Sequence, residues 1–599
     1  MGQEQSIILR GGEFLIKETS SEDIFTPEDF SEEQRLMRDS VREFVDREIW
    51  PKKAEFEQKN YALTKELMQK AAGLGYLGIS VPEEYGGLGM GFVSSMLVCD
   101  YISGATGSFS TAFGAHTGIG TLPISLYGTE EQKKKYLPKL AAGEWFGCYC
   151  LTEPGAGSDA NSGKTKAVIS ADRKHYHISG QKMWISNAGF CDLMIVFARI
   201  ENDKNISAFI VEYDPENRIS LGEEEKKLGI HSSSTRQVFF NETKVPVENM
   251  LSERNHGFKI AMNALNVGRI KLGAACLDAQ RRNLKIAANY AQERVQFGKP
   301  IAEFGAIQSK IAEMATSAYV GESACYRTAK MIEDQIAFLH KNERSLSEAE
   351  LNSYEEFAIE SSLLKVAISE DLQHCTDEGI QIFGGLGFSK ETPMESAWRD
   401  ARITRIYEGT NEINRILAVG MLIKRAAKGQ LDIFSAAEKL AQELTEIPSV
   451  DRSNDTALFS EEKKIVRNLK KVFLMIVGSA VKKFGVQLEE EQQVLLATAD
   501  ILIEIYLSES TLLRTEKNSK RYGRETQKTE IAMSQLYLFH AVELIQQKAK
   551  ECIVSISSSD EQRMLLLGLK RFTNYQNFPN AFGLRKIIAE SFLKRTQNS

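Results

Sequence analysis

Apolar positions recur along this chain in distinct textures, and the changes of texture divide it. From about residue 25 the spacing is helical. FTPEDFSEEQRLMRDSVREFVDREIWP offers Thr26 before Pro27 in a first-turn position, Ser31 with Gln34 as a capping box, and Leu36, Val41, Phe44 and Val45 on one apolar side. Helical spacing runs on to about Leu140, broken at VPEEYGGLGMG, where Pro82 and repeated glycines force a loop. This predicts an all-helical N-terminal domain over 25–148 behind an extended start over 1–24. The helical period is lost in CYCLTEPGAGSDANSG. After it, KTKAVIS, HYHISGQKMWIS, LMIVFARI, ISAFIVEYD and RQVFFNETKVP are alternating or β-branched runs, predicting a β-sheet or barrel domain over 149–255. Helical spacing returns over 258–292, 304–338, 352–383 and 395–424, which predicts a four-helix bundle over 256–428. Beyond the polar, weakly periodic IPSVDRSNDT the pattern is helical to the end, an appended helical domain over 429–599 with no short repeat relating it to the bundle. The fold class is therefore α+β.

At 599 residues the chain exceeds what one hydrophobic core usually supports, in keeping with several domains. Its 42% hydrophobic and 26% charged residues are those of a soluble globular protein, and the net charge of -7 argues against nucleic acid as the main partner. Eight cysteines show neither paired zinc spacing nor the density of a disulfide scaffold, which fits a reducing compartment. MGQEQSIILRGGEFLIKE has no charged segment followed by a long apolar core, and no run of about 20 apolar residues exists to span a bilayer, so a cytoplasmic location is expected. Gly2 with Ser6 matches a loose myristoylation pattern, but Glu4 adds no basic helper, and the match reads as chance. LKKVFLMIVGSAVKKFG, residues 469–485, is a mainly apolar run bracketed by lysine pairs. It suits a helix lying at an anionic membrane surface, and equally a core or dimer-packing helix, which its short apolar span favours.

The chemistry concentrates between Gln381 and Arg415, QIFGGLGFSKETPMESAWRDARITRIYEGTNEINR. Trp398, Ala401, Arg402 and Arg405 are spaced as on one helix, and Ile413, Ile416, Leu417 and Met421 mark the apolar face of another. Thr410 or Asn411 can cap the second helix, and Glu412 falls in its first turn, where the helix dipole favours an anion. Glu408 thus stands at a helix entrance. Gly409 beside it lacks a Cβ and lets a ligand or another backbone approach, though a turn glycine after a surface glutamate has the same appearance. LTEPGAGSD, with the hydroxyls of Thr152 and Ser158, suits a cofactor edge or a plain strand-entry loop; it is not GxGxxG after a strand, which disfavours a Rossmann fold. In QKMWISNAG, Trp184 and Ser186 share a sheet face if the strand is regular, and a core tryptophan is the plainer reading. In ERVQFGKP, Arg294 can meet an anion such as a diphosphate and Phe297 can lie on a ring, or the pair is a surface arginine and a helix end. QIFGGLG carries more glycines than a helix stop needs, leaving amides open to a ligand. No HExxH, GxSxG or P-loop occurs at a plausible site, so metalloprotease, hydrolase and nucleotide-triphosphatase readings lack support, and His116, His175, His177 and His231 read as ordinary residues.

Taken together, a helical domain, a β domain and a four-helix bundle, carrying LTEPGAGSD, MWISN, RVQFGKP, QIFGGLGF and IYEGTNEI in that order, resemble the acyl-CoA dehydrogenase family of flavoproteins over about 25–425. GGEFLIKE, LNVGR at 265–269 and the helical extension are similar to its very-long-chain branch. The resemblance implies an FAD cofactor, an acyl-CoA substrate and α,β-dehydrogenation in fatty acid β-oxidation. Glu408 would take the α-proton, the β-hydrogen would pass as hydride to FAD, and electrons would go on to an electron-transfer flavoprotein. It places Leu151, Thr152, Trp184 and Ser186 at the edge of the isoalloxazine, and Ser158 between flavin and acyl-CoA. Arg294, Phe297, Gln381, Gly384 and Gly385 would bind the flavin of a partner subunit, Thr410 and Glu412 that of their own, and Asn266, Arg269 and Gly409 would lie near substrate. The donors to the thioester oxygen would be the Glu408 amide and a flavin ribityl hydroxyl. A homo-oligomer is implied, a dimer favoured, and the same branch is membrane-associated through its extension. Two rivals stay open: an acyl-CoA oxidase, distinguished by oxygen consumption with peroxide release, and a non-catalytic scaffold, against which Glu408 argues.

Overall fold

The computed structural model describes residues 9–444 and 457–597, so Gly2, Ser6 and IPSVDRSNDT lie outside the described residues. The start departs from an extended chain. Residues 11–24 turn through 3-10 segments Glu13–Leu15 and Ser21–Asp23, with Phe14 and Leu15 buried. The Gly11 and Gly12 amides donate to Glu356 and Glu360 at 3.0 and 2.7 Å, so two carboxyl acceptors fix a segment too short to fold alone.

The N-terminal helices are α1 (Glu32–Phe44), α2 (Lys53–Glu57), α3 (Tyr61–Gly73), α4 (Phe92–Ile102), α5 (Gly107–Gly114), α6 (Leu122–Tyr127) and α7 (Glu130–Ala141). The Ser31–Gln34 capping box opens α1 as expected, with both reciprocal bonds made. Val41, Phe44 and Val45 are buried, whereas Leu36 is 66% exposed.

The sheet consists of β1 (Gly147–Cys150), β2 (Lys166–Ile169), β3 (His175–Ser186), β4 (Leu193–Ile200), β5 (Ser207–Glu212), β6 (Ile219–Glu224), β7 (Thr235–Pro246) and β8 (Met250–Leu251). Its order is β6-β7-β3-β2-β4-β5-β8, with β1 parallel to β4; it does not close, and is an open sheet rather than a barrel. Five expected strands are present. β1, β6 and β8 were not legible in the sequence: β1 is buried on both faces and does not alternate, β6 trails into glycine and glutamates, and β8 is only two residues long. A register shift between Lys182 and Ile185 on β3 leaves Trp184 outside the ladder.

The bundle is made of α8 (Gly257–Ala274), α9 (Leu277–Glu293), α10 (Gly305–Lys341), α11 (Leu346–Glu356), α12 (Ala358–Phe383), α13 (Pro393–Ile403) and α14 (Asn411–Ala427), with a small hairpin, β9 (Val295–Gln296) and β10 (Lys299–Pro300), after α9. The expected helix over 258–292 is broken at Ala275–Cys276, and the segment 395–424 is broken at the turn that carries Glu408.

The last helices are α15 (Ile433–Glu443), α16 (Ser460–Phe484), α17 (Gln492–Tyr522), α18 (Lys528–Ile556), α19 (Ser559–Phe572) and α20 (Ala581–Gln597). One apolar core runs from Phe14 through α4, α8, α10 and α12 into α16, α17 and α18. Polar clamps reinforce it: Arg327 on α10 and Lys470 on α16 share buried Glu509 on α17, Arg514 on α17 pairs with Glu28 and Glu322, and Arg415 on α14 meets Asp500. The run 469–485 is spent in this packing, with Leu469, Val472, Phe473 and Ile476 fully buried and no lipid-facing stripe left over. Among the described residues no helix is long and apolar enough to cross a membrane.

Candidate active site

Glu408 lies in the turn between α13 and α14, and the turn is built to hold it. Glu408 and Gly409 both adopt left-handed backbone, at φ 58° and 82°. Glycine takes this without strain, but a glutamate does so at a cost of about 1–2 kcal/mol, which surrounding contacts must offset. They do: Asn414 Nδ2 reaches the carbonyls of Glu408, Gly409 and Thr410 at 3.3, 2.8 and 3.1 Å. Of the two candidate caps, Thr410 accepts from the Ile413 amide, and Asn411 points inward. Lys365 on α12 donates to the Gly409 carbonyl and to Asn411 Oδ1, both at 2.7 Å.

The carboxylate turns toward α8. Glu408 Oε2 is shielded from solvent and has no hydrogen-bond partner. A Cβ added to Gly268 would stand 2.6 Å from that oxygen, so only glycine at this point of LNVGR leaves it room. Arg269, buried, donates from Nε to the Glu408 carbonyl at 3.4 Å and from Nη1 to Asn266 at 2.8 Å. Burial raises the Glu408 carboxyl from 4.5 to about 7, against the opposing pull of Arg269 and Lys365. The same burial lowers Arg269 to about 10 and Lys365 to about 8. Tyr149 on β1 feels the Glu408 charge, and its buried hydroxyl also lacks a partner. Behind Tyr407 a cavity of about 80 Å³ extends past Thr111, Leu272, Ala275 and Ala279 toward Trp50 and Arg282.

The sequence-derived residues sort into two places. Asn266, Arg269, Gly409 and Thr410 surround Glu408, with Glu412 exposed in the first turn of α14, where nearby amides hold its carboxyl below the ordinary range. Leu151 and Thr152 follow Tyr149 by two and three residues. Their carbonyls accept from Lys182 Nζ and the Met183 amide at 3.2 and 3.0 Å, tying the loop to β3 where the ladder is interrupted. Trp184 follows at φ 60° and 53% exposed, which excludes a core tryptophan. The simple alternation expected to put Trp184 and Ser186 on one face does not hold through this irregularity; Ser186 is half-buried beside Thr235. Ser158 is exposed on the same loop.

The second place is the far end of α9 and α12. Gln381 lies 16 residues along α12 from Lys365, about 24 Å at 1.5 Å per residue. Arg294, Phe297, Gln381, Gly384 and Gly385 are all exposed there, Phe297 at 93% and in left-handed backbone. Tyr290 stacks on Phe383 with centroids 3.9 Å apart, joining the two helix ends.

Profiles described as "Acyl-CoA dehydrogenase" match the N-terminal domain at residues 31–144, the middle domain at 148–243, and C-terminal domains at 255–422 and 468–571. A probable acyl-CoA dehydrogenase of Bacillus subtilis is 41% identical over 573 residues, 96% of each chain. The chain belongs to the acyl-CoA dehydrogenase family. The crystal structure of an acyl-CoA dehydrogenase complexed with FAD from Bacillus anthracis superposes with a TM-score of 0.95 at 42% identity, covering 98% of this chain and 99% of that one. The mitochondrial very long-chain specific acyl-CoA dehydrogenase of Rattus norvegicus is 32% identical, covering 87% of this chain and 79% of its own length.

The residues of this family member fit a flavin. An indole stands exposed on an irregular strand, Gly155, Gly157, Gly384 and Gly385 have open space where a Cβ would be, and an aromatic ring is held out at the end of α9. Glu408 and its turn also have neighbours that sequence reasoning missed: Lys365, Gly268, Asn414 and Tyr149. Only Lys365 gives a local signal, as a charge inside the apolar run SSLLKVAIS.

Proposed function

We propose that this chain catalyses α,β-dehydrogenation of saturated acyl-CoA thioesters in fatty acid β-oxidation, as an FAD enzyme working in the cytoplasm and passing electrons to an electron-transfer flavoprotein. The observation that carries it is the shielded, unpartnered Glu408 Oε2 of a carboxyl titrating near 7. A thioester α-proton is weakly acidic, and a desolvated carboxylate poised near neutrality is a competent base for it.

Leu151, Thr152, Ser158, Trp184 and Ser186 would hold the ring system of FAD, with Thr410 and Glu412 on the same copy. Arg294, Phe297, Gln381, Gly384 and Gly385 would meet the cofactor of a second copy, which supports a homodimer: their exposed end also carries Phe388, 83% exposed. When bound, FAD supplies the acceptor for the β-hydrogen, taken as hydride. Glu408 takes the α-proton, and its backbone amide donates to the thioester oxygen as negative charge builds there. Asn266, Arg269 and Gly409 line the substrate's reacting end. The acyl tail passes Tyr407 into the cavity lined by Leu272, Ala275 and Ala279.

The purified protein should be yellow and bleach anaerobically with a saturated acyl-CoA. Glu408→Gln should keep the flavin and lose the bleaching; a mutant that still bleached would remove Glu408 from the role of base. Oxygen uptake with stoichiometric peroxide would replace the dehydrogenase with an oxidase.

A further inference from the structure

Lys365 is fully buried in the middle of α12, between Leu363, Leu364, Val366 and Ile368. A buried ammonium needs its donors satisfied and its charge answered. The Gly409 carbonyl and Asn411 Oδ1, each 2.7 Å from Nζ, satisfy two donors. The second acceptor is itself fixed: Asn411 Nδ2 donates to Ser369 Oγ and Glu370 Oε1 at 3.1 and 3.0 Å, and Glu370 is gripped by both terminal nitrogens of Arg415 at 2.8 Å. No carboxylate of the described residues pairs with Lys365 within 4.0 Å. The first-ranking charge that answers it is Glu408, with Cys276, Glu370 and, opposing, Arg269 also facing it. Around Glu408 the charged and titratable groups are Arg269 from α8, Lys365 from α12, Tyr149 from β1 and its neighbour Tyr407.

The Lys365 ammonium is thus engaged with the turn that carries Glu408, whose Oε2 is buried without a partner. We propose that Lys365 is a positioning residue for Glu408, holding the left-handed turn through the Gly409 carbonyl and favouring the ionised carboxylate by its charge. The inference rests on Glu408 being the base.

The test uses the flavin-loaded enzyme and an acyl-CoA analogue without β-hydrogens, following exchange of its α-proton with deuterated water from about pH 5 to 9. In Lys365→Met the acid limb should move up by about one unit or more, the change expected for loss of a close opposite charge, with roughly tenfold slower exchange below the limb. Lys365→Arg should bring the limb back toward the parent. A limb unmoved in folded, flavin-bearing Lys365→Met overturns the proposal. Should that variant not fold, Lys365→Gln, which keeps a donor and drops the charge, is read in the same way. Glu408→Gln runs alongside: lost exchange there with an unmoved Lys365→Met limb defeats only the lysine's role, and retained exchange defeats both.

Discussion

At the scale of single residues, Glu408 is a buried carboxyl that costs the fold stability wherever it is ionised. Glu408 titrates near 7 in the fold against an ordinary 4.5, so the folded chain binds this proton more tightly than the unfolded one. The stability contributed by the neutral carboxyl is complete below the unfolded value and is lost as pH rises through about 7. Glu408→Gln, neutral throughout, should therefore match the parent in denaturant melts at about pH 4 and exceed it at about pH 8 by up to ~3 kcal/mol. Gly268→Ala tests the carboxylate's seat. Its Cβ would displace Oε2, the movable end of a side chain, so the fold should survive while turnover falls about 100-fold. Glu408 could be singled out in the sequence because glycine and a cap stand beside it. Gly268 and Lys365 could not, because what makes them matter is a contact across 140 and 43 residues of chain, which no local spacing encodes.

At the scale of elements, most helices and strands followed their periodicity, and departures came where both faces were buried, where composition broke the alternation as in β6, or where a local irregularity intervened. β1 lacks alternation because it is covered on both sides, and the break at Ala275–Cys276 leaves the apolar period intact on either side. The irregularity in β3 was equally hidden: QKMWIS reads as regular alternation, yet Trp184 is left-handed and exposed. That placement makes its role separable from folding. Trp184→Gly should relieve about 1 kcal/mol of backbone strain, leaving the melting temperature of flavin-free protein unchanged or raised, while flavin content after purification falls. The cavity between α9 and α13 makes a similar division. Ala279→Phe would fill it without touching the proposed catalytic residues, so long-chain acyl-CoA turnover should drop while short-chain turnover persists, as a series of chain lengths would report.

At the scale of the whole molecule, the order of textures along the sequence did correspond to helical, sheet and helical layers. What it did not reveal is that the last helices share the central core, because apolar periodicity says that a face is buried and not against what. The clamp at Glu509 makes the union costly to open. Glu509→Gln would leave Arg327 and Lys470 buried without their counter-charge, and unfolding by urea should show a loss of about 3–5 kcal/mol. The union also settles which surfaces remain free. With α17 and α18 packed on α10, and α17 also on α14, each copy carries its own built-in neighbour on that flank. The end bearing Phe297, Gly384 and Phe388 stays open. The second copy proposed above docks at that end, and a contact of that kind is used up by one pairing, so sedimentation of the flavin-loaded protein should show assemblies of two and no stacking to four, however high the concentration.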